Sequence, residues 1–383
     1  MKIVHIAANA PYNDNWGYQD NLLPKYHKQM GHDVVMITTN TMHKEGKIVE
    51  TECADYVLED GVRVIRLRKK KYCHRVLTNL KSRLLVFPYL EEIKPDFIFF
   101  HGLLSSSIFD AIKYKKKVNP SCVIVQDNHT DYYNGTWPVD LIGKLIRAYR
   151  RHINRRSIRY VDKVFGVTPW RKQYAEDYFG IPQDKTDVLI MGADDSKINL
   201  ENRDTIRKMI REENGVADSE FLVVTGGKID KEKNIDLLIE ACAEIESVKL
   251  LIFGQVKEDI KTRFEELVSK NKNILHIGWV DADKVYNYFL ASDLIAFPGS
   301  HSVLWEQACA CGVPALFKDW EGMHHVCVNG NSEFLYEDSV EEMKKKIKEL
   351  TENKDKYAAM KKAAEECKTD FFYSEIAKRA LGQ

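Results

Sequence analysis

The 383-residue chain lacks net charge, long apolar runs and paired cysteines, and each absence removes a class of function. With 57 Lys/Arg against 57 Asp/Glu, the whole chain has no excess charge to draw it to nucleic acid or to an acidic partner. No stretch approaches the roughly 18 uninterrupted apolar residues of a membrane-spanning helix. The opening segment MKIVHIAANAPYNDN has neither the basic start nor the long apolar stretch of a signal peptide, so the expected location is the cytoplasm. Eight cysteines are scattered without a CxxC pair or a Cys/His zinc spacing; Cys309 and Cys311 read as buried thiols of a reducing compartment. There is no tandem repeat, no G-x-G-x-x-G dinucleotide fingerprint and no P-loop. A hydrophobic content of 44% argues against disorder, and the length predicts about two domains.

The zero net charge conceals two opposed halves. Residues 1–190 carry 30 Lys/Arg and 21 Asp/Glu, a charge of +9, and the remainder carries −9. The basic runs lie in Arg63–Arg83, Lys113–Lys117 and Lys144–Arg159. They read either as solvated helix faces or as a surface for anionic lipid; no ordered nucleic-acid-binding module accompanies them.

Short β-branched or aromatic runs alternate with helical patterns in both halves. Strands are expected at 2–6, 34–38, 62–67, 97–100, 123–126, 164–167 and 188–190, then at 221–225, 250–253, 274–277, 294–297, 315–317 and 333–335. Several are wholly apolar, as parallel strands covered on both faces must be. Two such sets predict an α/β protein of two Rossmann-like domains facing across a cleft, hinged near Met191–Ser196, with ligands beyond the carboxyl ends of the strands.

Three segments carry candidate chemistry. After the first strand, Gly17 would let the backbone approach a ligand. Strand Phe221–Thr225 is expected to end in a loop beginning Gly226-Gly227-Lys228, with Lys233 close behind. Glycines there permit close approach, and lysines act as point charges on phosphate oxygens. Strand Leu294–Phe297 leads into a helix reaching about Cys311, with Ser300 or Ser302 as its N-cap. Glu306 sits about one turn in, where a carboxylate could accept hydrogen bonds from a ribose diol.

At these residues the sequence resembles the GT-B glycosyltransferases, most closely the retaining, nucleotide-sugar-dependent family 4 type. The motifs run in order along nearly the whole chain. They are the opening strand with Gly17 and Gly31-His32-Asp33-Val34, Pro95–His101, Met191–Asp194, Gly227–Lys233, Trp305–Pro314 and the terminal Tyr373–Leu381. The resemblance implies an N-terminal acceptor-side domain over 1–192, joined by a returning helix at 370–383, and a nucleotide-sugar-binding domain over 193–369. It also implies residue roles. Lys228 and Lys233 would neutralise the donor diphosphate, Glu306 would bind the ribose, and backbone N–H groups of Ser302, Val303 and Leu304 would hold the distal phosphate. Gly17 would close over the phosphates. Asp127 would position, and His129 would contact, the transferred sugar. No metal and no cofactor is implied beyond a UDP- or GDP-linked sugar as co-substrate.

One departure stands out. The family's first glutamate, eight residues before the second, corresponds here to Pro298, in a shortened loop with His301 in its middle; either His301 takes over the donor-sugar contact or this half of the motif is lost. The expected function is retaining sugar transfer to a glycan or lipid-linked acceptor in surface-polysaccharide assembly, with the basic domain peripherally on an anionic membrane. The alternatives are a non-catalytic paralogue stabilising a partner transferase and a sugar-nucleotide epimerase on the same fold.

Overall fold

The computed structural model describes residues 1–70, 83–135 and 141–383. The chain divides into two units, residues 1–190 with 376–383, and residues 191–375. The first unit contains β1 (Lys2–Ala7), β2 (Asp33–Thr39), β3 (Thr41–Lys44), β4 (Lys47–Glu50), β5 (Ala54–Val57), β6 (Arg63–Leu67), β7 (Phe97–Phe100), β8 (Val123–Asn128), β9 (Lys163–Gly166) and β10 (Thr186–Val188). Eight of these form one sheet in the order β10-β9-β8-β7-β1-β2-β6-β5. All its pairs are parallel except β5 with β6. β7 is buried end to end and wholly apolar, as a central parallel strand covered on both faces requires, and β1 is buried from Ile3 to Ala7 with the polar His5 in its middle.

The second unit contains β11 (Phe221–Ile229), β12 (Val248–Val256), β13 (Ile274–His276), β14 (Leu294–Phe297), β15 (Ala315–Lys318) and β16 (Ser332–Leu335). They pair in parallel in the order β13-β12-β11-β14-β15-β16. Val223, Leu250, Ile252, Leu294 and Leu316 form its core with Leu238 and Ile239 of helix Ile235–Ala243. In each sheet the connection order reverses at a pair of adjacent central strands, β1 with β7 and β11 with β14. That reversal opens a crevice at the strands' carboxyl ends, where ligands of doubly wound folds bind.

Three features depart from the sequence expectations. The β3–β4 hairpin and β5 were not anticipated, because their residues are mostly half-buried or exposed and show no apolar run. The last strand of the first sheet is Thr186–Val188, two residues earlier than expected. Gly226, Gly227 and Lys228 do not form a loop. They extend β11, paired with Phe253, Gly254 and Gln255 of β12. Part of the basic run Arg63–Arg83 lies outside the described residues.

Candidate functional site

The crevice between β11 and β14 holds a cavity of about 270 Å³, lined among others by Gly226, Lys228, Lys233, Gly299, Ser302 and Leu304. Two connections build it, and they are stitched together. Asp230 caps a single 3-10 turn, Lys231–Lys233, through its carboxylate and the Glu232 N–H. Asn234 then takes a left-handed conformation and starts helix Ile235–Ala243. Across the crevice, Ser300 donates its N–H to the Glu232 carbonyl at 2.9 Å, and Asn234 donates to the Pro298 carbonyl at 3.1 Å. A Cβ on Gly299 would lie 2.3 Å from the Lys233 Cα, so only glycine allows this approach of the two backbones.

Lys233 donates to the Ser300 carbonyl at 2.6 Å and to its hydroxyl at 2.9 Å. Burial pulls its ammonium pKa down, and nearby Asp230 and Glu232 oppose the shift. Lys228 is exposed and paired with Asp230 at 2.5 Å, a hydrogen bond that raises its pKa. The two lysines therefore differ: one is held in the cavity wall, the other stands at its mouth with its charge already partnered. Gly227, between two lining residues, has φ +103, and a Cβ there would meet Leu304 at 2.8 Å.

Glu306 is fully buried. Its helix is Leu304–Ala310, and the cap is Val303 with no side-chain hydrogen bond, so neither Ser300 nor Ser302 caps it as expected. Ser302 instead accepts the Trp305 N–H on its carbonyl at 3.0 Å. Trp305, stacked on Phe317 at 4.7 Å between centroids, fixes the helix start in the core. Glu306 Oε1 accepts hydrogen bonds from Nε2 of His301 and of His325, each at 2.9 Å. Burial alone would push this carboxyl up; the two imidazoles overcome it and hold it well below the usual carboxylate range. Its other oxygen, Oε2, is buried with no hydrogen-bond partner, the kind of atom that calls for a ligand group. The three ligand atoms also lie within 4.8 Å of one another, a donor set of zinc-binding type, although the two short N···O contacts already have the geometry of hydrogen bonds.

His325 is the residue that the sequence reading missed. It lies in a 3-10 turn, His324–Val326, beyond β15, and no local spacing connects it with Glu306. His301, which the sequence offered as a replacement for the missing glutamate, has its Nε2 engaged with Glu306.

Gly17, Asp127 and His129 belong to the first unit. A Cβ on Gly17 would meet nothing within 4 Å, so the surrounding structure does not demand glycine there. Asp127, on β8, is fully buried. Its Oδ1 accepts the Gly102 N–H at 2.6 Å, and its Oδ2 lies 2.9 Å from His101 Nδ1 and 3.3 Å from His129 Nε2. Burial would raise its carboxyl, but His129 and His101 hold it far below the usual range. His129 remains 45% exposed, accessible to a ligand while its ring is aimed by a buried carboxylate.

Residues 22–197 match the family "Glycosyltransferase Family 4", and residues 206–367 match "Glycosyl transferases group 1". An alpha-galactosylglucosyldiacylglycerol synthase of Streptococcus pneumoniae is 24% identical over 184 residues, 45% of this chain and 48% of that protein. An uncharacterised glycosyltransferase of Methanocaldococcus jannaschii is 25% identical over 44% of this chain and 46% of its own. The chain spans about half the length of these curated relatives. Anabaena HepE, solved in complex with UDP and glucose, superposes with a TM-score of 0.66 at 16% identity, over 100% of this chain and 98% of that one.

Proposed function

The chain belongs to the GT-B glycosyltransferases of the family 4 type, and from that premise we propose that it transfers a sugar, with retention of configuration, from a nucleotide-diphosphate sugar to a glycan or lipid-linked acceptor. The observation that carries this reading is the cavity at the β11–β14 crossover, with Lys233 in its wall, Lys228 at its mouth and glycine backbone along its floor. Those are the groups that hold a diphosphate: fixed cationic donors, and backbone with no Cβ to keep phosphate oxygens away. UDP is present in the HepE complexes, and the pneumococcal relative is named for a glycosyl-diacylglycerol product; both fit the proposal.

In this mechanism Lys233 and Lys228 stabilise the charge that develops on the leaving diphosphate. Glu306 offers Oε2 to a ribose hydroxyl, while His301 and His325 keep the carboxylate ionised and fixed in orientation. His301 therefore acts on the donor through Glu306, as a positioning residue. In the first unit, Asp127 orients His129 toward the transferred sugar.

The acceptor reading extends to the surface. Helix Leu141–Ser157 exposes Leu141 and Leu145 beside a groove lined by Lys144, Arg147, Arg151 and Arg155. A basic helix with apolar tips suits peripheral binding to an anionic membrane on its cytoplasmic face. Among the described residues no helix is long and apolar enough to cross a membrane.

Calorimetry with UDP, GDP and their sugar conjugates tests the donor site. Saturable heat with at least one of them is expected, and it should be lost in Lys233→Ala. A Glu306→Ala variant should lose turnover by about two orders of magnitude, the scale of removing one preorganised contact. A chain that binds no nucleotide is a degenerate scaffold, and the proposal falls.

A further inference from the structure

Four buried polar side chains of the first unit stand in single file, and the chemistry proposed above uses only the last of them. His27 lies on helix Gln19–Gln29, His5 on β1, His101 directly after β7 and Asp127 on β8. The sheet order β8-β7-β1 sets the last three side by side. Starting from the chain's C-terminal helix, the Ala377 carbonyl lies 3.0 Å from His27 Nε2. His27 Nδ1 is 3.0 Å from His5 Nε2, and His5 Nδ1 is 3.1 Å from His101 Nε2. His101 Nδ1 completes the file at 2.9 Å from Asp127 Oδ2. His5 and His27 are fully buried and His101 nearly so.

The proton count follows from the two ends. A carbonyl oxygen and a carboxylate oxygen can only accept, and each link needs one hydrogen. There are four links, and three neutral imidazoles supply three hydrogens. Without a fourth, two lone pairs would face each other across about 3 Å in the interior, which costs the full desolvation of an unmet polar group. Asp127 is a poor place for that proton, because its oxygens already face Gly102 N–H, His101 and His129. Burial and neighbouring imidazoles hold His5 and His27 neutral, with His27 down at about 4. The ring in contact with the carboxylate is the one that remains.

We propose that His27, His5 and His101 form a proton-holding chain in which His101 is a standing imidazolium paired with Asp127, and that the three are positioning residues that fix Asp127 against His129. The other groups facing this file leave the count unchanged. Asp20, on the same helix as His27, interacts with His101, His129 and Asp127, and burial pushes its carboxyl up. His32 faces His27, and Phe99 packs on His5 and His101 with centroids 5.5 and 4.7 Å away. The positioning role rests on the reading of His129 as a sugar contact; the held proton does not.

The test is a nitrogen-15 spectrum of the full chain labelled at histidine, recorded without substrate. One ring, assigned by its disappearance in His101→Gln, should show both nitrogens protonated in the unmodified chain at neutral pH. Asp127→Asn replaces the accepting end with a donor, so three neutral rings then satisfy all four links. In that variant, folded by circular dichroism, the His101 ring should revert to a single N–H. Three singly protonated rings in the unmodified chain at neutral pH would overturn the proposal, as would an imidazolium that persists in Asp127→Asn. Should the variant not fold, the spectrum of the unmodified chain still decides. A chain that binds no nucleotide yet shows the held proton would refute the transferase reading alone.

Discussion

Glu306 and His27 show how burial is turned to opposite ends at single residues. Glu306 remains charged in the core because two imidazoles donate to one oxygen. Removing one of them in His325→Leu should cost about 2 kcal/mol of unfolding free energy at neutral pH, the value of a hydrogen bond to a charged group. Denaturant titration measures it, and an unchanged midpoint would mean that His301 alone holds the carboxylate. His27 is kept neutral by burial, its pKa lowered from 6.5 to about 4. Between these values the unfolded chain binds the proton and the folded chain does not. The stability His27 contributes is therefore present above about pH 6.5 and lost as pH falls through about 4, up to about 3 kcal/mol in all. Melting temperatures recorded across that window should fall on acidification, and His27→Gln should flatten the slope.

At the scale of elements, the floor of the cavity depends on strands that run past their expected ends. β11 and β12 continue through paired glycines; Gly254 has φ +123, and a Cβ on it would lie 1.9 Å from the Gly227 carbonyl oxygen. Gly254→Ala should therefore cost about 2–4 kcal/mol from backbone strain and overpacking together, and it should weaken nucleotide binding in step. Gly17→Ala, with open space around its added methyl, should leave the denaturation midpoint unchanged. Equal losses in the two variants would show that the strand extension has no special role.

For the molecule as a whole, the charges divide as the units do, with +9 on residues 1–190. Each basic residue near an anionic surface contributes about 1 kcal/mol, so replacing Arg147, Arg151 and Arg155 with alanine should weaken binding to phosphatidylserine vesicles by about a hundredfold. High salt should do the same to the unmodified chain. Sedimentation with vesicles reads both, and binding that ignores salt would refute the electrostatic account. The architecture itself was legible along the chain, because parallel strands buried on both faces must be apolar end to end, as Phe97–Phe100 and Leu294–Phe297 are. Lys233 and Glu306 were legible too, as charges set where strand gives way to helix. The hairpin β3–β4 was not, since its exposed residues need no pattern. The partners of the buried charges were not legible either: His325 reaches Glu306 across 19 positions, and Ala377 reaches His27 across 350. Sequence by itself determined the two sets of buried parallel strands and placed Lys233 and Glu306 just beyond strand ends, because those follow from local apolar runs and the breaks after them. Only tertiary structure decided which imidazole meets which carboxylate, because a hydrogen bond depends on distance in space and leaves no spacing along the chain.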